Sequence, residues 1–252
     1  MTASVLLGID AGIARITLNR PASLNAFDAD MAHAWVAAVT DALAHPETRA
    51  IIIAAEGRAF CAGGDVRAMA EMPDREDALT SLAEVINVGL AALVESSIPV
   101  VAAAHGTTAG GGLGVLLASD YAVVGESSRV GALYAGVGLT PDLSVTALLA
   151  RAVGERRALQ LTLQDRLLPA KEAQEWGLVA EVVADDAVLE RAETIARHWV
   201  DGAAYAYGQA KRLIRSQPSR SFREQLAEEA RTIGATSVTA EAEKRIQAFA
   251  AR

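Results

Sequence analysis

The chain predicts an α/β fold followed by an all-helical carboxy-terminal region, and three observations carry that prediction. Short apolar runs, several of them β-branched, alternate with long helical patterns from Ile13 to Val183. Strand-like runs stop at about Asp185, and helical patterns alone follow. At 252 residues and 52% hydrophobic, the chain is long enough for one large core with a smaller appendage. The two regions are therefore drawn as residues 1–185 and 186–252.

Taken in order, ARITLN is the first strand, and a helix is expected from about Asp28 to Ala44. AIIIAA, from Ala50 to Ala55, is a continuous apolar run of the kind found in parallel strands covered on both faces. A long helix near Glu76 to Glu95 leads to PVVAAA, Pro99 to Ala104, a second run of the same kind. GGLGVLLAS then reads as a buried helix, and YAVV from Tyr121 returns to strand. Beyond Asp185 come helical patterns at Asp186 to Val200, Ala203 to Ser216, Ser221 to Ile233 and Ser237 to Ala250, broken by Gly202 and the Gln217–Pro218–Ser219 turn. This alternation fits an ordinary doubly wound sheet as well as other layered arrangements, because periodicity does not specify how strands are ordered.

Two glycine-containing turns follow the two apolar runs: FCAGGD at Phe60 to Asp65, and AHGTTAGGGLG at Ala104 to Gly114. Glycine lets the backbone approach a ligand closely and adopt dihedrals closed to other residues. The second turn runs into a helix start, where N–H groups lack intrahelical partners and carry partial positive charge. Two such turns can aim N–H groups at one oxygen and hold a developing oxyanion. Either turn alone reads equally well as a tight loop.

Seven strings then occur in one order: ITLNRPASLNAF, GRAFCAGGD, PVVAAAHGTTAGGGLG, ASDYAVV, GVGLTPD, RAVGERRALQL and AKEAQEWGLVAEVV. In them the chain resembles the crotonase (enoyl-CoA hydratase/isomerase) superfamily from Arg15 to about Val183, closest in pattern to the epoxyphenylacetyl-CoA isomerase-like enoyl-CoA isomerases. The resemblance implies a spiral of ββα turns, with carboxy-terminal helices that join subunits into trimers or hexamers and help close the acyl-CoA pocket. It implies that the N–H groups of Gly64 and Gly111 polarise the thioester carbonyl of an acyl-CoA. Ala62, Asp65 and Tyr134 are assigned to substrate binding, and Lys211 and Phe249 match places that border the coenzyme. A solvated lysine and a helix-face anchor are the plainer readings of those last two. Arg20, Arg58 and Arg67 lie near the first loop and are candidates to neutralise CoA phosphates, although each also reads as a solvated surface arginine.

The departures from the family are as informative as the agreements. Its hydratases carry two glutamates that handle water, and the corresponding positions here read Gly114 and Tyr134. Glu126, in the turn GESS, reads as solvated. Ordinary hydration of a 2-enoyl-CoA is therefore not expected. In GVGLTPDLSV, Asp142 matches the aspartate that shuttles protons in the related isomerases and acts as nucleophile in the 4-chlorobenzoyl-CoA dehalogenase. Thr140, Pro141 and Asp142 also fit a helix start, since proline and acids favour a first turn. The missing glutamates and the surrounding Val137, Leu139, Leu143 and Val145 favour catalysis. An apolar pocket would raise the pKa of Asp142, whereas a helix N-terminus would lower it.

Composition bounds the rest. The 23 basic and 31 acidic residues give a net charge of −8 without a basic cluster, which disfavours nucleic acid. The amino terminus lacks the basic start and apolar stretch of a secretory signal, and no run approaches twenty purely apolar residues. Cys61, the single cysteine, fits a reducing cytoplasm and reads as a small buried loop residue rather than a nucleophile. His105 reads as loop structure. No zinc spacing, dinucleotide fingerprint or GxSxG elbow is present. The expected activity is migration of a double bond from the 3- to the 2-position of an enoyl-CoA, with Asp142 as proton shuttle and no cofactor beyond the CoA of the substrate. The alternatives are a hydrolytic or dehalogenase-like enzyme using Asp142 as nucleophile, a non-catalytic acyl-CoA-binding subunit, and a residual hydratase whose water is activated by something other than the missing glutamates.

Overall fold

The structure, a computed structural model, describes residues 3–251. It begins with an antiparallel hairpin, β1 (Val5–Asp10) and β2 (Ile13–Leu18), turned at Ala11 and Gly12. The chain then forms α1 (Ala29–Ala44), whose start is fixed by Asp28 accepting from the Met31 N–H at 2.9 Å. β3 (Ala50–Ala55) lies parallel to β2 and is followed by the short α2 (Val66–Ala70) and the long α3 (Arg75–Glu95). β4 (Val100–Ala104), β5 (Thr107–Ala109) and α4 (Gly111–Ala118) come next, then β6 (Tyr121–Gly125), β7 (Arg129–Gly131) and α5 (Val145–Val153). α6 (Glu155–Leu163), β8 (Leu168–Pro169), α7 (Ala170–Glu175) and β9 (Glu181–Val183) finish the core connections. The remaining elements are helices: α8 (Val188–Asp201), α9 (Ala204–Ser216), α10 (Phe222–Ser237) and α11 (Ala240–Ala250).

Strand order separates this arrangement from a doubly wound sheet. The six-stranded sheet runs β1-β2-β3-β4-β6-β9, so successive strands are neighbours and the order never reverses. After each strand the chain crosses to a second layer before its helix returns. β5 and β7 pair there in parallel with β8 at the edge, and the bridges Phe27 to Gly64 and Cys61 to Thr108 extend the same layer. The result is the spiral of ββα turns.

Burial explains why the central runs are unbroken. Ile51 and Ile53 enter one core cluster, with α1, α3 and α4, while Ala50, Ile52 and Ala54 enter a second one beneath α8. Val100, Ala102 and Ala104 divide from Val101 and Ala103 in the same way. Both faces are covered, so alternation with polar residues is absent. Each of the buried isoleucines and valines contributes about 1.5–3 kcal/mol. α8, the first helix of the carboxy-terminal region, packs across β3, β4 and β6 through Val188, Ala192, Ile195 and Ala196. α3 is long and apolar enough to cross a bilayer by length and composition. Here its Leu82, Ile86, Leu90 and Leu93 are buried in the first cluster, largely against α1, where Trp35 packs edge-on to Phe27 at 6.2 Å.

Several elements were absent from the sequence expectation. β1 alternates buried and open residues with Gly8 in the middle, and β5, β7 and β8 are too short to show a period. The helix after Asp142 begins later than a Thr-Pro-Asp start implies. α5 starts at Val145 behind Ser144, whose backbone is left-handed at φ 69°, and its first turn holds no acid.

Candidate active site

The two glycine turns meet. The first is laced to its surroundings by Phe27 N–H donating to the Gly63 carbonyl at 2.8 Å, Asp65 N–H to Phe27 at 2.9 Å and Ala62 N–H to Leu24 at 3.0 Å. Gly63 has φ 105°, and a Cβ there would lie 3.1 Å from both the Ala109 carbonyl oxygen and the Gly111 nitrogen. Only glycine lets the backbones approach so closely. Gly110, at φ 54°, donates its N–H to the Ala132 carbonyl at 2.9 Å and turns the chain into α4.

This lacing leaves two donors over. Gly111 is the first residue of α4, so its N–H has no intrahelical acceptor. Among the described residues neither Gly111 nor Gly64 donates its N–H to a protein group. Both glycines line one cavity of about 430 Å³. Its walls are largely apolar: Phe27, Met69 on α2, Leu79, Leu82 and Ile86 on α3, and Leu143. Ala62 also lines it.

Asp142 stands at the edge of the same cavity, on the loop between Tyr134 and α5. Its Oδ1 accepts a hydrogen bond from the Tyr134 hydroxyl at 2.7 Å. The residue is exposed as a whole, but its carboxyl is held on one side by the buried Tyr134. Loss of water on that side pushes its pKa up, and the bond from Tyr134 pulls part of the way back. The pocket therefore raises the pKa as expected, and the lowering influence of a helix start does not arise, because α5 begins only at Val145. The Tyr134 phenol is held above its ordinary pKa by burial first and by the Asp142 charge second, so it remains a donor.

The hydratase positions are occupied by other groups. Gly114 is buried in α4, and a Cβ there would collide with the Leu143 carbonyl oxygen. A glutamate cannot stand at that position without moving the loop that carries Asp142. Tyr134 fills the other position, with its hydroxyl already committed to Asp142. Glu126 is exposed in its turn.

The remaining candidates divide. Asp65 caps α2 by accepting from the Arg67 and Ala68 N–H groups and pairs with Arg20 at 3.3 Å. Arg20 also pairs with Asp28 at 2.6 Å, so its charge is neutralised within the protein. Arg58 and Arg67 are exposed, in the loop after β3 and on α2. Lys211 does not reach the cavity. It is buried, donates to the carbonyls of Leu93 at 2.8 Å and Ile98 at 2.7 Å, and pairs with Asp120 at 3.0 Å, which corrects both its assignment to the coenzyme and its reading as a solvated lysine. Phe249 is 78% exposed on α11 and does not line this chain's cavity. The Cys61 thiol is buried, donates to the Asn25 carbonyl at 3.1 Å and has its pKa pushed up to about 12 by desolvation, which removes it as a nucleophile. His105 is held by the Gly57 carbonyl at 2.8 Å as part of the loop.

Sequence reasoning placed Leu143 only among the apolar surroundings of Asp142 and missed that its carbonyl obstructs Gly114, which no signal in the chain marks. It also missed the cavity face of α3, although Leu79, Leu82, Ala83 and Ile86 recur at helical spacing.

Comparison with known proteins agrees with this geometry. Residues 8–252 match the enoyl-CoA hydratase/isomerase family. The chain is 31% identical over 225 residues to the 1,2-epoxyphenylacetyl-CoA isomerase of Escherichia coli K12, covering 88% of this chain and 86% of that protein. It is 35% identical over 242 residues to a Rhodobacter capsulatus protein named "Probable enoyl-CoA hydratase", covering 96% and 92%. The enoyl-CoA hydratase structure from Mycobacterium smegmatis superposes with a TM-score of 0.92 at 28% identity, over 98% of this chain and 95% of that one. With the spiral, the two meeting glycine turns and this match over nearly the whole length, the chain belongs to the enoyl-CoA hydratase/isomerase family.

Proposed function

We propose that the protein is an enoyl-CoA isomerase that moves a double bond from the 3- to the 2-position. The observation that carries this reading is a carboxylate, Asp142, on the same small cavity as two uncommitted backbone donors, Gly64 and Gly111. The thioester oxygen sits between the two N–H groups, which draws charge toward the oxygen and acidifies the α-carbon. Asp142 takes the α-proton, and the resulting dienolate is held by donors already in place. The protonated carboxyl then returns the proton at the γ-carbon. One C–H bond breaks at C2, one forms at C4, and the π bond shifts from C3–C4 to C2–C3, so the step balances within the substrate and needs no redox partner. A carboxyl whose pKa is raised by its surroundings is the stronger base for this exchange.

Gly114 and Tyr134 support isomerisation over hydration, since neither position offers a carboxylate to activate water. Arg58 and Arg67 are exposed and take part in none of the ion pairs among the described residues, which suits them to the CoA phosphates, and Arg20 organises Asp65 and Asp28 instead. Phe249 on α11 is available to a neighbouring subunit in a homotrimer or hexamer, and the single cysteine, Cys61, supports a cytoplasmic location.

Asp142→Asn tests the assignment, because it keeps the shape and removes the basic oxygen. Isomerisation of a 3-enoyl-CoA and α-proton exchange in heavy water should both fall by about 10² or more, while binding of the acyl-CoA persists. Exchange at the wild-type rate, or hydration of a 2-enoyl-CoA by the wild type as fast as isomerisation, would overturn it.

A further inference from the structure

Asp142 lies on a loop whose residues from Ala135 to Thr140 are all exposed, yet a proton shuttle needs its carboxylate held in one attitude. One residue ties that loop at three points. The Tyr134 carbonyl accepts from the Val137 N–H at 3.1 Å and from the Leu139 N–H at 3.0 Å, and its hydroxyl reaches eight residues on to Asp142 Oδ1 at 2.7 Å. Tyr134 is 8% exposed and belongs to the core cluster that also contains Leu113 and Leu143. The anchor is therefore rigid while the loop it secures is open.

We propose that Tyr134 is the positioning residue for the base: its hydroxyl occupies Asp142 Oδ1 and leaves Oδ2 as the oxygen that takes and returns the proton. The inference rests on the isomerase reading above. It follows from the donor inventory, since an ionised carboxylate only accepts and a phenol held above its ordinary pKa keeps the proton it donates at working pH. Among the described residues no other side chain donates to Asp142. The assignment differs from substrate binding, because a hydroxyl spent on Asp142 is not offered to the acyl group.

The pair also sets where the base titrates. Along the cavity, from the first glycine turn, α2, α3, the second glycine turn and the Tyr134–Leu143 loop, the ionisable side chains are Asp142 and Tyr134 themselves. Buried Cys61 is the other group whose charge would act on Tyr134, and it stays protonated. A bond from Tyr134 favours the ionised carboxylate, so removing it lets the Asp142 pKa rise. The base is ionised only above its pKa, and the acid limb of the kcat/KM profile follows it.

The test uses the full-length enzyme with 3-hexenoyl-CoA, followed from about pH 4 to 8 around the ordinary carboxylate range. Tyr134→Phe should lower kcat by about tenfold, leave KM within about twofold and move the acid limb up by about one pH unit. Site-specific 3-fluorotyrosine at position 134 keeps the shape and strengthens the donor, and it should move the limb the other way; it carries the test if the phenylalanine variant does not fold. An unmoved limb in both variants, with kcat within about twofold of wild type, overturns the positioning role. The two readings fail separately. Activity in Asp142→Asn removes the base itself, whereas an inactive Asp142→Asn beside an unmoved profile at position 134 removes this inference alone.

Discussion

A proline at position 111 would delete one oxyanion donor and leave the first turn of α4 able to form, because the first helical residue has no intrahelical bond to lose and suits proline's φ. The added ring meets the Leu143 side chain, so Leu143→Ala is made with it and also alone as the control. Loss of one donor costs about 3 kcal/mol of barrier, and kcat of the double variant should fall by about 10²-fold relative to the Leu143→Ala control. Equal kcat in the two proteins would mean that the carbonyl is held elsewhere. At this scale the sequence was legible mainly through its resemblance: the two glycine turns read locally as sources of N–H donors, the family's ordered strings assigned Gly64, Gly111 and Asp142, and the cavity brings all three together. Leu143 was not legible, because its effect depends on a left-handed backbone at φ 47° that a leucine rarely adopts.

Elements decide which side chains reach the site, and α9 shows how. Lys211 sits on a helix whose buried face points under α3 and β4 rather than toward the cavity, with all its donors used on Leu93, Ile98 and Asp120. Burial lowers its pKa, and the Asp120 charge opposes that shift. Lys211→Ala should destabilise the fold by about 3 kcal/mol, near the low end for a broken buried pair because Arg215 still faces Asp120. Denaturant unfolding would measure the loss, and kcat of the folded enzyme should stay within about twofold. A large kcat defect at full stability would restore Lys211 to the coenzyme. Helical spacing could place Lys211 on a helix but not choose the partner of that face. The short strands of the second layer were invisible for a related reason: β5 and β7 have three residues each, and their pairing is fixed by parallel neighbours rather than by a pattern of their own.

For the whole molecule, the carboxy-terminal helices are the unfinished part. α11 buries no residue within the chain, and Phe222, Ile233, Val238, Ile246 and Phe249 all lie open on α10, α11 and the turn between them. An isolated helix of that length is marginal in water without a packed face. A trimer or a pair of trimers is expected by light scattering, and Phe222→Glu together with Ile233→Glu should shift it toward monomer. A wild-type monomer at micromolar concentration would refute the expectation.

The sequence by itself determined the layered α/β core, the helical end, the two glycine turns and the family, because each is written in local patterns: unbroken apolar strands, helical spacing and glycines at fixed places. Only the tertiary structure decided the order of the strands, the Tyr134 to Asp142 bond, the obstruction of Gly114 by the Leu143 carbonyl and the withdrawal of Lys211 into an ion pair. Those features join residues through loop conformations and helix faces. Side-chain chemistry and spacing leave such contacts open until the chain is packed.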